Sequence, residues 1–395
     1  MAKRKFALPG IQELSKEQED ARALPKKGQH LIIGGPGTGK SVLALLRSRR
    51  HHDDKDGYVF LVYNHLLHQA SRHLFVSNLI SKTWKSWFSG MFSEWTKQSI
   101  PRMPAKPGKI WQDIDWEQAL QVITDNGVIE GADKLPFLII DEGQDMPPEF
   151  YRALVNLGFE NFYVVADQNQ QIVSGENSSR RDIENLLAIE TADVVELTEN
   201  YRNSYPTARL AREFYTGDPA SPPPALPSMQ QTARRPLLVE YGKSCQANFT
   251  SIISAILKTA DRDPCKLLGV IAPNNNVRKR YLQELSTANL KLDHGMPQIQ
   301  TYESGADAAK VAFDEGGIML INVQSCKGLE FDTVFLADID QHYCTPQIYD
   351  EKRRLFYVMV ARARENVIML KNADNNNCPV DAILPNNPDI MESRR

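Results

Sequence analysis

A glycine-rich segment near the start of the chain carries the residues best suited to chemistry. Residues 34–41 read GGPGTGKS and fit the pattern G-x-x-x-x-G-K-[ST], whose backbone N–H groups surround a polyphosphate at the start of a helix. The apolar run 31–33 predicts a strand before it. Lys40 is expected to reach the β- and γ-phosphates of ATP, and the Ser41 hydroxyl to bind Mg²⁺. The loop residues predicted to contact ATP are Gly35, Pro36, Gly37, Thr38, Gly39, Lys40 and Ser41.

A pair of acidic residues follows a second predicted strand. The apolar run 137–140 ends in Asp141 and Glu142. Because ligands of parallel sheets bind at the carboxyl ends of the strands, both carboxylates are expected beside the phosphate loop. Asp141 is then placed to hold Mg²⁺, and Glu142 to orient and deprotonate the attacking water. The alternative is an acidic cap between a strand and a loop.

Phosphoryl transfer also needs positive charge near the γ-phosphate, which arginine commonly supplies. Arg202 follows Asn200 and Tyr201 after a predicted strand, and Arg362 lies in a predicted helix, 351–364, in the second half of the chain. For either arginine alone, a solvated surface residue or a surface ion pair is the alternative interpretation.

Apolar and polar segments alternate in a way that predicts an α/β fold with mainly parallel sheets flanked by helices. The proline-rich stretch 218–236 predicts a linker between a first domain, 1–217, and a second domain, 237–380, with a frayed tail at 381–395. Residues of about 72–132 contain all five tryptophans and predict a small, mostly helical insertion. The predicted strands are 31–33, 58–63, 137–140, 162–166, 194–197, 237–241, 267–272, 318–323, 333–338 and 366–370.

The composition indicates an ordinary globular protein rather than a strongly basic nucleic-acid binder. The chain has 395 residues, a net charge of −3 and 42% apolar residues. A local basic groove remains compatible with that balance. We expect neither a signal peptide nor a membrane-spanning segment, because no sufficiently long apolar run is present. The five cysteines lack metal-site spacing, so we expect no metal cluster or disulfide framework and a cytoplasmic location.

Taken in order, the motifs resemble those of superfamily-1 DNA helicases of the UvrD/Rep/PcrA type. The resemblance implies two RecA-like P-loop NTPase domains with ATP and Mg²⁺ between them. The segments that carry it are LSKEQ at 14–18, DEGQD at 141–145, ADQNQ at 166–170, ENYRN at 199–203, QSCKGLEFD at 324–332 and EKRRLFYVMVARAR at 351–364.

The resemblance also implies roles for individual residues. Gln18 would read the adenine edge, Tyr201 would stack on the base, and Glu330 would lie near the ribose. Gln170 would sense the γ-phosphate. The two arginines named above would supply positive charge from the two sides of the cleft.

Two further segments, VYNHL and TWKSWF, resemble single-strand-contact motifs of the same helicases. They imply Asn64, Thr83, Trp84 and Lys85 as nucleic-acid-binding residues, since aromatic rings next to a cation suit stacking on bases and pairing with phosphates. For Trp84 and Trp87, which are three residues apart, packing of one helix face into the core is the alternative.

The chain departs from the helicase pattern in several places, and two of these departures bear on function. Residues 171–176, QIVSGE, contain no aromatic ring where relatives have several. The spacing between residues 202 and 327 is also too short for the large second accessory domain of the family. The sequence thus predicts a short form, in which base-by-base stepping differs from that of the relatives.

The leading functional hypothesis is an ATP hydrolase that moves 3′→5′ on single-stranded DNA, as the resemblance implies. Such a short motor could work with a nuclease or another DNA-processing partner protein. The alternative is a nucleic-acid-stimulated ATPase that acts as a switch or end sensor for a partner nuclease, without unwinding. A third hypothesis is an RNA-directed motor.

Overall fold

The computed structural model describes residues 14–63, 79–105, 112–129, 135–170, 177–216, 222–229, 234–302, 315–375 and 378–395. Two parallel sheets account for its strands, which confirms the prediction of two RecA-like α/β domains. The strands of the first sheet are β1 (Gln29–Gly34), β2 (Tyr58–Val62), β3 (Ser81–Thr83), β4 (Phe137–Ile140), β5 (Phe162–Ala166) and β6 (Val195–Leu197).

The first sheet has the order β3-β2-β4-β5-β1-β6, with every neighbouring pair parallel. Successive residues alternate between its faces: Ile33 and Leu61 face one apolar layer, and Ile32 and Phe60 face the other. Both faces are covered by helices, which explains why these strands are continuously apolar. The covering helices are α1 (Lys16–Ala23), α2 (Lys40–Asp53), α3 (Trp84–Thr96), α4 (Trp116–Asn126), α5 (Pro148–Asn156) and α6 (Arg180–Leu186).

The predicted helical insertion is part of the first domain and packs against the first sheet instead of forming a separate unit. Residues 81–83 of this segment make β3, which pairs in parallel with β2 at the edge of the sheet. The aromatic side chains of α3, among them Trp84, Phe88 and Phe92, are buried in the core beneath the sheet. Aromatic burial of this kind supplies much of the apolar contact area in the core.

The second sheet has seven strands, and every neighbouring pair is again parallel. Its helices are α7 (Tyr205–Glu213), α8 (Phe249–Arg262), α9 (Asn275–Thr287) and α10 (Tyr349–Val360). In sheet order from one edge to the other, its strands are β13 (Glu392–Arg394), β7 (Leu237–Tyr241), β12 (Ala363–Asn372), β11 (Phe331–Leu336), β8 (Leu267–Ala272), β10 (Gly317–Asn322) and β9 (Ile299–Thr301).

Helix α7 packs with the second sheet although it precedes the proline-rich stretch. Leu210, Ala211 and Phe214 belong to the apolar cluster of the second sheet, and the Phe214 ring lies 5.3 Å from that of Phe356. Ser204 donates its backbone N–H to the carbonyl of Arg364 at 2.6 Å. We therefore propose that the boundary between the domains lies near residue 204 rather than at 217.

The proline-rich stretch and the end of the chain are both held in place. Ala225 donates its backbone N–H to the Thr198 carbonyl at 2.6 Å, so this part of the stretch lies beside the first sheet. At the end of the chain, β13 pairs with β7, and Ile390 and Met391 are buried. The expectation of a frayed tail at 381–395 is therefore wrong, because apolar burial and strand pairing anchor this segment. No helix in the described ranges combines the length and apolarity that crossing a bilayer requires.

A buried histidine in the second domain makes stability depend on pH. The His342 ring packs 5.3 Å from Phe356, and burial, followed by the charge of Lys352, lowers the pKa of His342 to about 4. An unfolded histidine has a pKa of about 6.5, so its stabilising contribution is complete above that value and is lost as the pH falls towards 4. We expect a loss of up to about 3 kcal/mol from this residue. The free energy of unfolding, measured from pH 7 to pH 4.5, should decline less in His342→Phe than in the wild type. Parallel curves would contradict this assignment.

Candidate active site

The phosphate loop connects β1 to α2 in a conformation that only glycine adopts easily. Gly37 and Gly39 have φ of 81° and 90°, in the left-handed region. A Cβ atom added at Gly37 would lie 2.3 Å from Asn200 Oδ1, and one at Gly39 would lie 2.4 Å from Gln18 Nε2. These clashes show that the loop is enclosed between the first helix and the segment after β6, so a larger side chain would deform it.

Lys40 begins α2 and lies inside the loop. Its Nζ donates to the Gly35 carbonyl at 2.7 Å and lies 3.6 Å from Asp167 Oδ2. Burial lowers the pKa of Lys40, although Asp167 and Glu142 counteract part of that effect. The ammonium group is thus buried beside two carboxylates at the point where β1 ends.

Asp141 and Glu142 follow β4 and lie beside the loop, as predicted. Asp141 is buried, its Oδ1 accepts the Glu142 N–H at 3.0 Å, and its Oδ2 has no hydrogen-bond partner among the described residues. Burial and then the charge of Glu142 raise the pKa of Asp141 to about 7, against an opposing effect of Ser41. A buried carboxylate oxygen facing a serine hydroxyl and a phosphate loop is a suitable ligand for Mg²⁺.

Glu142 is held as a carboxylate in a strained conformation. Its φ of 55° is unusual for a residue with a side chain. Burial would raise its pKa, but the cations Lys327, Lys40 and Arg362 together lower it below the ordinary value. Gln144 Nε2 donates to Glu142 Oε2 at 2.7 Å and so orients the carboxylate. A deprotonated, oriented carboxylate beside a phosphate site has the properties of a general base.

A chain of hydrogen bonds runs from this carboxylate to the second domain; we call it the Glu142–Arg362 relay. Gln144 bonds Glu142 and accepts the Asp167 N–H at 2.9 Å. Asp167 Oδ2 accepts from Gln170 Nε2 at 2.6 Å, and Gln170 Oε1 accepts from Arg362 Nη2 at 2.8 Å. Sequence analysis missed Gln144 and Asp167 as site residues, although both lie within the motifs DEGQD and ADQNQ that it singled out.

Arg362 itself belongs to the second domain, between α10 and β12. It is 1% exposed and also donates to the Val358 carbonyl at 3.1 Å. Burial, followed by the charge of Arg202, lowers its pKa. Its placement at the first domain agrees with the sequence-based expectation that a cation reaches the site from the second domain.

The second predicted arginine makes a different cross-domain contact. Arg202 Nη2 lies 2.5 Å from Glu330 Oε1, and this pairing, together with Arg364, lowers the pKa of Glu330 against the effect of burial. Tyr201 is 51% exposed and donates its backbone N–H to the Gly37 carbonyl at 2.9 Å. Glu330, which is predicted to lie near the ribose, thus forms an ion pair with Arg202 in this conformation.

Gln18 lies against the phosphate loop. Its side chain completes a capping box with Ser15 at the start of α1, and Nε2 donates to the Thr38 carbonyl at 2.9 Å. The side chain is therefore fixed at both ends.

Lys327 is a further site residue that sequence analysis did not select. Its Nζ lies 2.6 Å from Asp145 Oδ2 and donates to the Gln170 carbonyl at 2.5 Å. Both side chains of the ion pair are nearly inaccessible to solvent. The pair joins the two sheets, and its signal in the sequence was the lysine of KGLEF.

Replacing Lys327 with methionine should destabilise the protein by up to about 3–5 kcal/mol above pH 7, because Asp145 would remain as a buried, unpaired carboxylate. The loss should be smaller at lower pH, because burial raises the pKa of Asp145 to about 7 and the carboxyl can then take up a proton. Equilibrium unfolding in urea measures this loss. The double variant Lys327→Met with Asp145→Asn is the matched control and should recover much of the stability. A single variant as stable as the wild type would show that the pair contributes nothing to folding.

The structure describes three of the four residues predicted to contact nucleic acid, and they differ in their exposure to solvent. Trp84 is 3% exposed and packs against Trp116 and Phe150, with ring centroids 6.3 and 5.2 Å away. Its assignment as a base-stacking residue is therefore wrong, because the ring belongs to the core. Thr83 precedes α3 and is buried, whereas Lys85 is exposed with Nζ 5.3 Å above the Trp84 ring. Asn64 and residues 171–176 lie outside the described ranges.

Comparisons with known proteins place both halves of the chain among helicases. The family model of the Schlafen group 3 DNA/RNA helicase domain matches residues 27–230, and that of the UvrD-like helicase C-terminal domain matches residues 317–370. These matches confirm the resemblance to helicases. No curated protein matches the sequence. A solved structure, the C-terminal domain of a possible DNA helicase from Lactobacillus plantarum WCFS1, is similar with 14% identity and a TM-score of 0.35, covering 50% of this chain and 99% of that chain.

Proposed function

We propose, on the premise that this chain belongs to the family of the Schlafen group 3 DNA/RNA helicase domain, that it is an ATP-dependent motor on single-stranded DNA. Membership makes it a nucleic-acid helicase or ATPase in general terms. The observation that carries the more specific proposal is the Glu142–Arg362 relay, which links a candidate general base in one domain to a cation in the other. A motor needs such a link, because hydrolysis must change the relation between its two domains.

The residues around the loop fit ATP bound with Mg²⁺. The enclosed glycine loop and Lys40 would hold the phosphates, while Ser41 and Asp141, with its buried oxygen, would hold the ion. Bound there, MgATP supplies the phosphoanhydride bond and neutralises part of its charge. Gln18, Tyr201 and Glu330 are proposed to select the base and ribose.

In this proposal Glu142 takes the proton of the attacking water on its carboxylate, which Gln144 keeps oriented. Arg362 and Arg202 place positive charge where negative charge grows on the phosphate oxygens. Gln170 contacts Arg362 directly. Loss of the γ-phosphate beside Gln170 would therefore alter a contact with the second domain. The buried setting strengthens each of these electrostatic effects.

Thr83 and Lys85 are proposed to contact the nucleic-acid strand, because Thr83 ends β3 and Lys85 lies in the first turn of α3, at the carboxyl end of the sheet where the loop also lies. Movement from 3′ to 5′ is proposed from the resemblance to UvrD-type helicases. A nuclease is the proposed class of partner, since a short motor benefits from a separate protein that processes the strand it moves.

Three measurements on the purified chain test the proposal. ATP hydrolysis is measured without nucleic acid, with single-stranded DNA and with RNA of the same sequence. Displacement of a fluorescent strand is measured on duplexes with a 3′ or a 5′ tail. Translocation is measured with strands labelled at one end. Lys40→Ala is the inactive control, because it removes the phosphate-binding cation.

We expect DNA to stimulate hydrolysis at least about tenfold, with movement towards the 5′ end. A rate of ATP hydrolysis that is the same with and without nucleic acid would refute the proposed motor function. Stimulation without movement or strand separation would favour the alternative function, a switch that reports bound ends to a partner nuclease. Stronger stimulation by RNA than by DNA would show that RNA is the substrate instead of DNA.

A further inference from the structure

A cavity of about 950 Å³ lies on the first domain beside the edge strand β3. Strand β3 and one face of α3 form most of its wall, and Leu135 and Phe159, which precede β4 and β5, complete it. Its size falls within the range of sites that bind small molecules or single nucleotides. None of its lining residues belongs to the phosphate loop or to the Glu142–Arg362 relay, so it is a separate site.

A glycine in the middle of a helix lies in the wall of this cavity. Gly90 lies inside α3 and lines the cavity, and a Cβ atom added there would meet nothing within 4 Å among the described residues. Glycine weakens a helix relative to alanine, and no steric contact of the described residues requires it here. Because glycine has no side chain, the helix backbone itself forms the wall of the cavity at this position.

The lining combines aromatic rings with positive charge. Trp95 contributes a half-buried indole ring, whereas Trp87 is 8% exposed and packs against Phe159, so most of its ring belongs to the core. Lys82 and Lys97 contribute cations, against the single acid Glu94. Indole rings stack on nucleobases, and nearby lysines pair with phosphates. This combination fits a nucleotide better than an acidic or purely apolar ligand.

The position of the cavity indicates where such a nucleotide would come from. Thr83 lines the cavity and ends β3 at the sheet edge where the nucleic-acid strand is proposed to pass, and Lys85 lies two residues further on. From Thr83 the cavity extends along α3 to Trp95 and Lys97, beside Leu135 and Phe159 at the amino ends of β4 and β5. A strand that passes Thr83 and follows α3 would bring a base against the Trp95 ring.

We propose that the cavity between β3 and α3 binds one unstacked base of the single-stranded nucleic acid that the motor contacts. The inference rests on the proposed function, which it extends from backbone contact to capture of a base. It also gives the chain an aromatic base site in place of Trp84, which is buried, and of the aromatic run that residues 171–176 lack.

Filling the cavity tests this inference. Gly90→Leu places a branched side chain in it, whereas the matched control Gly90→Ala adds only a methyl group. We expect Gly90→Leu to bind an oligo-dT strand about tenfold more weakly than Gly90→Ala, with both variants binding a fully abasic strand equally. Thermal unfolding of both variants verifies that they fold.

A second measurement uses the wild-type protein and therefore does not depend on folding of a variant. Cross-linking to a strand that contains 5-iodouracil should label the tryptic peptide 86–97, which carries Trp87 and Trp95, and not the peptide 83–85 that carries Trp84. Labelling elsewhere only would overturn the inference.

The outcomes separate this inference from the proposed function. If the wild type binds oligo-dT and is stimulated by it, but Gly90→Leu and Gly90→Ala bind equally, the cavity is not a base site while the motor stands. If the wild type neither binds the strand nor responds to it, the proposed function itself fails.

Discussion

Replacing Glu142 with glutamine is expected to lower the rate of ATP hydrolysis by about a thousandfold while ATP remains bound. Glutamine keeps the size of the side chain and can still contact Gln144, but it cannot accept a proton from water. The charges of Lys327, Lys40 and Arg362 keep the wild-type carboxylate deprotonated, so the lost function is that of a base. The measurements are the steady-state rate with saturating DNA and the affinity for a fluorescent ATP analogue.

Glu160→Gln is the matched control for this experiment. Glu160 is exposed and lies before β5, at the opposite edge of the same sheet. We expect it to leave both rate and affinity unchanged. Turnover at the wild-type rate in Glu142→Gln would show that another group activates the water, and the assigned role would be wrong.

Replacing Arg362 with alanine is expected to reduce ATP turnover by a factor of about 10³ or more, with a much smaller change in ATP affinity. Arg362 lies at the end of the Glu142–Arg362 relay and supplies positive charge from the second domain. Charge that acts on the transition state affects the rate more than the binding of the ground state. Arg362→Lys should be intermediate, because lysine keeps the charge but lacks the planar group of donors.

Arg364→Ala controls for loss of an arginine close to Arg362 in the sequence, since Arg364 lies two residues further on, is exposed and belongs to β12. Thermal unfolding is needed for Arg362→Ala, because the arginine is fully buried and its removal leaves Gln170 without one of its hydrogen bonds. A folded Arg362→Ala protein that hydrolyses ATP at the wild-type rate would mean that the cleft does not need this cation.

Local sequence was sufficient for much of the site. The phosphate loop requires glycine at positions with positive φ and a lysine at the start of a helix, and these are properties of neighbouring residues. The same holds for Asp141 and Glu142, whose position at the end of an apolar strand places them at the carboxyl edge of the sheet.

Other features depended on contacts between distant residues. A tryptophan beside a lysine has the same pattern whether it stacks on a base or packs in a core, and only the neighbouring Trp116 and Phe150 decided that Trp84 is buried. Likewise, an amphipathic helix at 205–213 can pack on either sheet. In the structure its apolar face packs on the second sheet.

The sequence by itself determined that this protein has two parallel α/β sheets and a glycine-rich loop between a strand and a helix, because apolar runs and loop glycines act over a few residues. The tertiary structure alone decided how Glu142 is connected to Arg362, which residues are buried and where the cavity beside β3 lies. Those outcomes depend on which surfaces meet when the sheets pack, and residues far apart in the chain supply both sides of each contact.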